Sequence, residues 1–249
     1  MRREDRRSSF GRESYGRQAT RPLNCLAFIL PMMLAFHVGA AFYGSKLLAP
    51  RDIDVILRYF GATVAYLPAV LVVAVLLVQH IAHHEKFRIQ FRALVGMLGE
   101  SICCMLPLMA LAHMSGRLLV HGAADSQAPP AAGAAAVMEE IVSALGAGIY
   151  EEFIFRMVLI SLMLLIFVDV FDLRKDAVTV VSVIVAAIAF SLYHFSARQF
   201  ASWGGFPWYD FIFRATAGVY LGAIYIFRGF GIAVGAHAIY NIYAVVYHM

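Results

Sequence analysis

Long apolar runs, separated by short polar connections, cover most of the chain after its first two dozen residues. A helix needs about 20 mainly apolar residues to cross a hydrocarbon core of about 30 Å, and seven runs reach that length. They cover approximately residues 24–48, 55–79, 93–113, 140–168, 177–198, 209–228 and 230–248. The pattern therefore predicts an all-α fold, a polytopic transmembrane helical bundle of about seven spanning helices.

The composition favours a membrane protein over a soluble one. Hydrophobic residues make up 61% of the 249 residues and charged residues only 14%, which is more apolar surface than a soluble domain of this size can bury. The three cysteines, Cys25, Cys103 and Cys104, include no CxxC pair. We interpret them as small buried hydrophobic residues and not as a disulfide framework or a metal site.

Basic residues are concentrated at the N-terminus. Residues 1–22 contain seven arginines and lack the apolar core of a signal peptide, which predicts a disordered, basic, cytoplasmic arm. An Ala/Pro/Gly-rich stretch at 123–136 is the clearest break in the rest of the chain. It divides a set of N-terminal transmembrane helices at 23–133 from a second half, 134–249, in which polar residues interrupt the apolar runs.

The polar connections predict a cytoplasmic N-terminus. The connections at 83–92 and 172–176 are basic, whereas the connection at 115–133 carries little positive charge. Cytoplasmic connections of membrane proteins carry the excess of Lys and Arg. Three basic residues in the first connection reduce this asymmetry, so the sequence does not decide at which membrane face a functional site would open.

Two adjacent carboxylates and an arginine lie inside the fourth apolar run, in the sequence "EEFIFR". An ionisable residue in a spanning helix costs several kcal/mol unless it is paired or hydrated, and it commonly marks a functional site. Glu152 and Arg156 are four residues apart and can pair on one helix face. Glu151 points elsewhere and is left free to act as a general base. The alternative is a packing salt bridge with a spare carboxylate.

Three further polar residues interrupt the last apolar runs. His194 lies in "FSLYHF", and His237 and Asn241 lie in "GAHAIYN", four residues apart on one helix face. Each of them has an ordinary structural explanation, because a histidine can be a satisfied core residue and His and Asn commonly form hydrogen bonds between membrane helices.

The order and combination of these motifs are more specific than any one of them. "EExxxR", then "FxxxH", then "HxxxN" in the last helix resembles the pattern of the CPBP family of CAAX proteases and bacteriocin-processing (Abi) proteins, which are glutamic-type intramembrane proteases. The resemblance covers roughly residues 134–246. It implies a CPBP-like catalytic transmembrane core in the second half of the chain.

The chemistry of peptide hydrolysis assigns roles to these residues. Hydrolysis needs an activated water, donors for the oxyanion and a proton for the leaving amine. Glu151 is the expected base, while His194, His237 and Asn241 are expected to position the water and stabilise the oxyanion. The resemblance implies the same division of labour, with Glu152 and Arg156 in support.

No cofactor is expected. The alternative is a zinc ion bound by Glu151, His194 and His237, because two imidazoles, a carboxylate and a water form a known set of zinc ligands. The chain has no HExxH motif, and a metal-free, glutamate-activated water fits the pattern at least as well. A second histidine cluster, "HIAHHEK", is expected to be a solvated helix end and not a metal site.

The predicted depths of the site residues differ, so the residues meet only if helices tilt or break. We expect breaks where glycines occur, at 146–148 and 204–207 and before His237 at Gly235. Non-helical backbone at such depth is tolerated only beside a cavity.

The function expected from these observations is that of an intramembrane endopeptidase acting on a membrane-embedded or lipid-anchored protein, with the lipid bilayer as its other partner and no nucleic acid. The expected location is a bacterial inner membrane. The alternatives are a non-catalytic scaffold or immunity-type protein of the same fold, and a transporter that uses Glu151 and the histidines as a proton relay.

Overall fold

The computed structural model of the chain describes residues 14–44, 66–115, 133–195 and 206–247. These residues form eight helices and contain no β-strand. The helices are α1 (Tyr15–Ala19), α2 (Pro22–Tyr43), α3 (Leu67–Ala82), α4 (Phe91–Met114), α5 (Ala134–Val170), α6 (Lys175–Tyr193), α7 (Trp208–Arg228) and α8 (Phe230–Tyr247). Expectations for residues 1–13, 45–65, 116–132, 196–205 and 248–249 lie outside this description.

The predicted transmembrane bundle is confirmed. Six helices, α2 and α4 to α8, are long and apolar enough to span a bilayer. The predicted span at 55–79 is described only from residue 66 onward, where α3 supplies a shorter apolar helix of 16 residues. The fourth span begins at Ala134 and not near residue 140, because alanines and a valine extend the helix towards its N-terminus.

Burial in the bundle follows the pattern expected in lipid. Large apolar side chains such as those of Leu34, Val78 and Phe227 point outward and are more than half exposed. Arg156 and Glu152 are fully buried inside the bundle. Both halves of the sequence contribute to one apolar core, which includes Ile29 and Met97 from the first half and Ile149 and Val234 from the second.

Helix α1 packs against the bundle, so the expected disorder of the arm does not extend to residues 14–22. The Tyr15 hydroxyl donates a hydrogen bond to a carboxylate oxygen of Glu100, 2.8 Å away, and the same carboxylate pairs with the Arg228 guanidinium. Burial and the bond to Glu100 raise the pKa of the Tyr15 hydroxyl, which therefore remains a donor. This cluster joins α1, α4 and the end of α7.

The α7–α8 hairpin turns at Gly229, whose φ of +90° is accessible to glycine at little cost. A Cβ at this position would lie 3.2 Å from Cα of Thr20. The chain that links α1 to α2 therefore lies directly against the hairpin turn. A cavity of about 200 Å³ lies beside this contact, lined among others by Thr20, Pro22 and Gly229.

The glycines near the carboxylates do not break α5. Residues 146–148 are α-helical, and so is Gly235 in α8. The expected breaks at these positions are therefore wrong. Gly148 instead permits close packing, because a Cβ there would lie 2.6 Å from the Ala238 Cβ and 2.8 Å from the Ala238 backbone nitrogen. The backbones of α5 and α8 touch, and this contact brings their polar residues together without a break.

Replacing Gly148 with alanine is expected to destabilise the protein by about 1–3 kcal/mol, because the new methyl group overlaps backbone atoms that cannot move independently. Gly99→Ala is the matched control: it also lies within a helix, but nothing occupies the space around its Cβ position. That control should be neutral or stabilising by up to about 1 kcal/mol. Thermal unfolding in detergent measures both, and equal stability of the two variants would contradict the close contact.

Candidate active site

The two adjacent carboxylates end a regular α-helical stretch of α5. Ala134–Glu152 is α-helical, and Phe153–Ile160 continues it as a π-helix. π-helical turns are rare and occur frequently at functional sites. Glu151 and Glu152 are buried, with 7% and 0% of their surface exposed. The wider π-turn follows directly after them and carries Arg156.

Arg156 pairs with Glu152 in the centre of the bundle. Nη1 of the arginine lies 3.0 Å from Oε1 of the glutamate, and neither side chain is exposed. Nη2 donates a hydrogen bond to the Gly218 carbonyl oxygen at 3.2 Å. The guanidinium also lies over the Phe190 ring, 4.5 Å from its centroid. Arg156 therefore neutralises Glu152 and links α5 to both α6 and α7.

His237 joins the two carboxylates from α8. Its Nδ1 lies 2.8 Å from Oε1 of Glu152, and its Nε2 lies 3.8 Å from Oε2 of Glu151. A carboxylate paired with arginine can only accept hydrogen bonds, so Nδ1 of the histidine carries the proton. Whenever the ring carries a single proton, its Nε2 presents a lone pair towards Glu151. Glu152 thus fixes both the position and the tautomer of this histidine.

His194 completes the surroundings of Glu151 from the end of α6. It caps the helix, and its Nδ1 donates a hydrogen bond to the Phe190 carbonyl oxygen at 2.8 Å. A carbonyl oxygen is only an acceptor, so Nε2 of the neutral ring again carries a lone pair. This Nε2 lies 3.6 Å from Oε1 of Glu151.

Glu151 therefore lies between two imidazoles that both present acceptors to it. The distances of 3.6 and 3.8 Å are too long for direct hydrogen bonds. When both rings are neutral, a water molecule between them can donate one hydrogen bond to Glu151 and its second to one of the two Nε2 atoms. In this tautomeric state the histidines can orient a water, but they cannot donate to an oxyanion until they are protonated.

A cavity of about 220 Å³ adjoins this group, and Glu151, His194, His237 and Asn241 all line it. The four residues named from the sequence thus meet at one place. The other lining residues come mainly from α4 to α8 and are largely apolar, among them Leu108, Phe213, Leu221 and Tyr240. A cavity of this kind suits an apolar peptide segment with a few polar contacts.

Arg214 also lines the cavity and had no assigned role from the sequence. Its guanidinium lies 5.2 Å from the centroid of the Phe195 ring, next to His194. The only signal in the sequence was a cation inside a spanning run, six residues after the helix start. Such a residue is a functional candidate by the same argument that selected Glu151.

The zinc alternative requires donors arranged around a single point. Among the residues that the structure describes, no group of three or more His, Cys, Asp and Glu side chains is arranged to hold a metal ion. Around Glu151 the nitrogen–oxygen distances of 3.6 and 3.8 Å exceed the roughly 3.3 Å that separates two ligands of a tetrahedral zinc ion.

The histidines of "HIAHHEK" do not gather around one point. His80 is buried, contrary to the expectation of a solvated helix end, because its ring packs against Phe87 with centroids 4.3 Å apart. Its Nδ1 lies 3.6 Å from a Glu85 oxygen. His83 is exposed and turns back to the Gln79 carbonyl oxygen of its own helix.

Residues 133–243, which span the whole of this site, match the family described as Rce1-like, type II CAAX prenyl endopeptidase Rce1-like. This segment is therefore similar to the CAAX-protease (CPBP) family. The CAAX-protease family indicates a CAAX-type intramembrane endopeptidase with a membrane-associated protein as its substrate. No curated protein and no solved structure matches the chain significantly. The CAAX-protease segment and the resemblance found in the sequence cover nearly the same residues.

Proposed function

We propose that the chain hydrolyses a peptide bond of a membrane-associated or C-terminally processed protein, with Glu151 as the general base. The observation that carries this proposal is the position of Glu151 between two imidazole Nε2 atoms, beside a cavity inside the bundle. A carboxylate there can hold a water next to a bound peptide carbonyl.

In the first step, Glu151 takes a proton from the water while the water oxygen bonds to the scissile carbonyl carbon. One proton of the water is directed at Glu151, and the Nε2 of His194 or of His237 accepts a hydrogen bond from the other, which aims the lone pair of the water oxygen. The carbonyl oxygen becomes an oxyanion, and donors in the cavity stabilise it. The Asn241 amide and the Arg214 guanidinium are the groups we assign to this role.

In the second step, protonated Glu151 gives its proton to the leaving amine nitrogen, and the carbon–nitrogen bond breaks. The products are a new carboxyl terminus and a new amino terminus, and Glu151 returns to its carboxylate form. Glu152 and Arg156 do not touch the reacting atoms. They hold His237 in the tautomer and orientation that the first step needs.

New peptide termini test this proposal directly. Membranes from host cells carrying the wild type or Glu151→Gln are compared by mass spectrometry of protein termini, with Glu139→Gln as the matched change on the same helix. We expect a set of termini that requires Glu151 and persists with Glu139→Gln. If no terminus depends on Glu151, the scaffold or transporter alternatives replace the protease.

We further propose that the reaction needs no metal. Protein purified in detergent should contain much less than one zinc per chain, and its cleavage of a substrate identified from the termini should survive treatment with zinc chelators. The support for this proposal is that the nitrogen–oxygen distances around Glu151, 3.6 and 3.8 Å, are longer than the spacing of about 3.3 Å between two ligands of a tetrahedral zinc ion. Stoichiometric zinc that is lost on chelation together with activity would contradict this prediction.

A further inference from the structure

Basic residues distinguish the two faces of the bundle. The N-terminal face is the one at which α2 begins, α3 ends, α4 begins, α5 ends, α6 begins and the α7–α8 hairpin turns; the opposite face carries the other helix ends. Each lysine or arginine is assigned to the nearer helix end along the sequence. On that count, eight of the ten lysines and arginines that the structure describes belong to the N-terminal face and only Arg214 to the opposite face, with Arg156 buried between them. The excess makes the N-terminal face cytoplasmic.

The exposure of the site residues increases towards the opposite face. The exposed fraction of the side chain is 0% for Glu152 and Arg156, 9% for Glu151 and 27% for His194. His194 directly follows the end of α6 at the opposite face. Arg214 and Asn241 each lie within seven residues of helix ends at that same face. Exposure therefore rises from the buried ion pair towards the opposite face.

The N-terminal side of the site is closed by packed residues. At Gly231 of α8, an added Cβ would lie 2.5 Å from the Met97 side chain and 3.4 Å from Cα of Cys25. Beyond this layer, the Tyr15–Glu100–Arg228 cluster attaches α1 across the ends of α4 and α7. A separate cavity of about 200 Å³ lies at the N-terminal face, lined among others by Cys25, Met157 and Phe230, but it shares no lining residue with the catalytic cavity.

A second groove extends the site in the same direction. It is about 340 Å³ in volume, lies between α5 and α8, and shares Ala147 and Asn241 with the catalytic cavity. From there it runs to Ala244 and Val245 of α8 and to the exposed Glu140, near the start of α5. The groove therefore leads from the cavity towards the opposite face.

We propose that the site opens to the non-cytoplasmic face, and that its substrate is a membrane protein whose scissile bond lies at the non-cytoplasmic end of its membrane segment. This substrate class rests on the proposed protease function. The direction of opening rests only on charge and packing. A substrate cut at a cytoplasmic C-terminal tail would approach the face at which the described residues close the path.

Accessibility of single cysteines tests the proposal on the full chain. The three native cysteines are replaced by alanine, and one cysteine is then introduced as Gly133→Cys at the opposite face, Lys86→Cys at the N-terminal face, or Asn241→Cys in the cavity. Sealed right-side-out and inverted membrane vesicles are treated with a membrane-impermeant maleimide. Size-exclusion chromatography in detergent checks that each variant is folded.

We expect the cysteines at 133 and 241 to be labelled several-fold faster in right-side-out vesicles, and the one at 86 several-fold faster in inverted vesicles. The proposal would be overturned if the cysteine at 241 were labelled faster in the same vesicles as the cysteine at 86. It would also be overturned if the cysteine at 133 were labelled only in inverted vesicles. Because labelling does not require activity, that outcome leaves the protease function standing. If no new peptide terminus depended on Glu151, the proposed protease function would fail, although the pattern of maleimide labelling would stay the same.

Discussion

Glu151→Gln is expected to lower the cleavage rate by about 10²- to 10⁴-fold, the range that a positioned general base contributes. Glutamine has nearly the same shape but accepts no proton at neutral pH, so the water between the two imidazoles is held and not activated. The loss should appear in kcat more than in KM, because Glu151 acts on the water and not on the bound peptide. Initial rates on a substrate identified from the termini measure it.

Glu139→Gln is the control, since it makes the same chemical change on the same helix, away from the cavity. It should retain wild-type activity. Glu151→Gln should fold and insert normally, because it removes a buried charge that no arginine neutralises directly. A folded Glu151→Gln protein that cleaves at the wild-type rate would refute the assigned role.

Arg156→Leu is expected to lower stability by about 3–5 kcal/mol, the cost of leaving one partner of a buried ion pair without the other. Glu152 is fully buried and would keep only His237 as a close polar partner. The change also removes the bond to the Gly218 carbonyl oxygen. Thermal unfolding in detergent should show a lower transition temperature, and the yield of inserted protein should fall.

The double variant Glu152→Leu with Arg156→Leu separates folding from chemistry. It removes both charges, so it should recover much of the stability lost by the single change. It should remain poorly active, because His237 has lost the acceptor that fixes its tautomer. Full activity in the double variant would show that the ion pair serves packing alone.

The sequence was sufficient for the class of fold and for the set of residues that meet. Charge is so costly in lipid that Glu151, Glu152 and Arg156 stand out in an apolar run, and the four-residue spacing of Glu152 and Arg156 already predicts their contact. The family match over residues 133–243 confirms the resemblance found in the motifs. Hydropathy also placed most helices, with errors of several residues at their ends.

Other features depend on contacts between distant parts of the chain, which one sequence does not reveal. The π-helix after Glu152 has no local signal, and Gly148 was taken for a break because its partner Ala238 lies 90 residues away in the sequence. The attachment of α1 was missed for the same reason, since Tyr15 has its partner on α4. The role of Glu152 as a partner of His237 likewise appears only when α5 and α8 are adjacent.

The backbone contact between Gly148 and Ala238 limits which helices can move apart when the cavity widens. Helices α5 and α8 carry Glu151, His237 and Asn241, and a contact without intervening side chains leaves them little freedom to slide or separate. Any widening that admits a bulky peptide must therefore come from the α6–α7 side, which carries His194 and Arg214. Glu151 and His237 therefore keep fixed relative positions, and His194 moves with the α6–α7 side when the cavity widens.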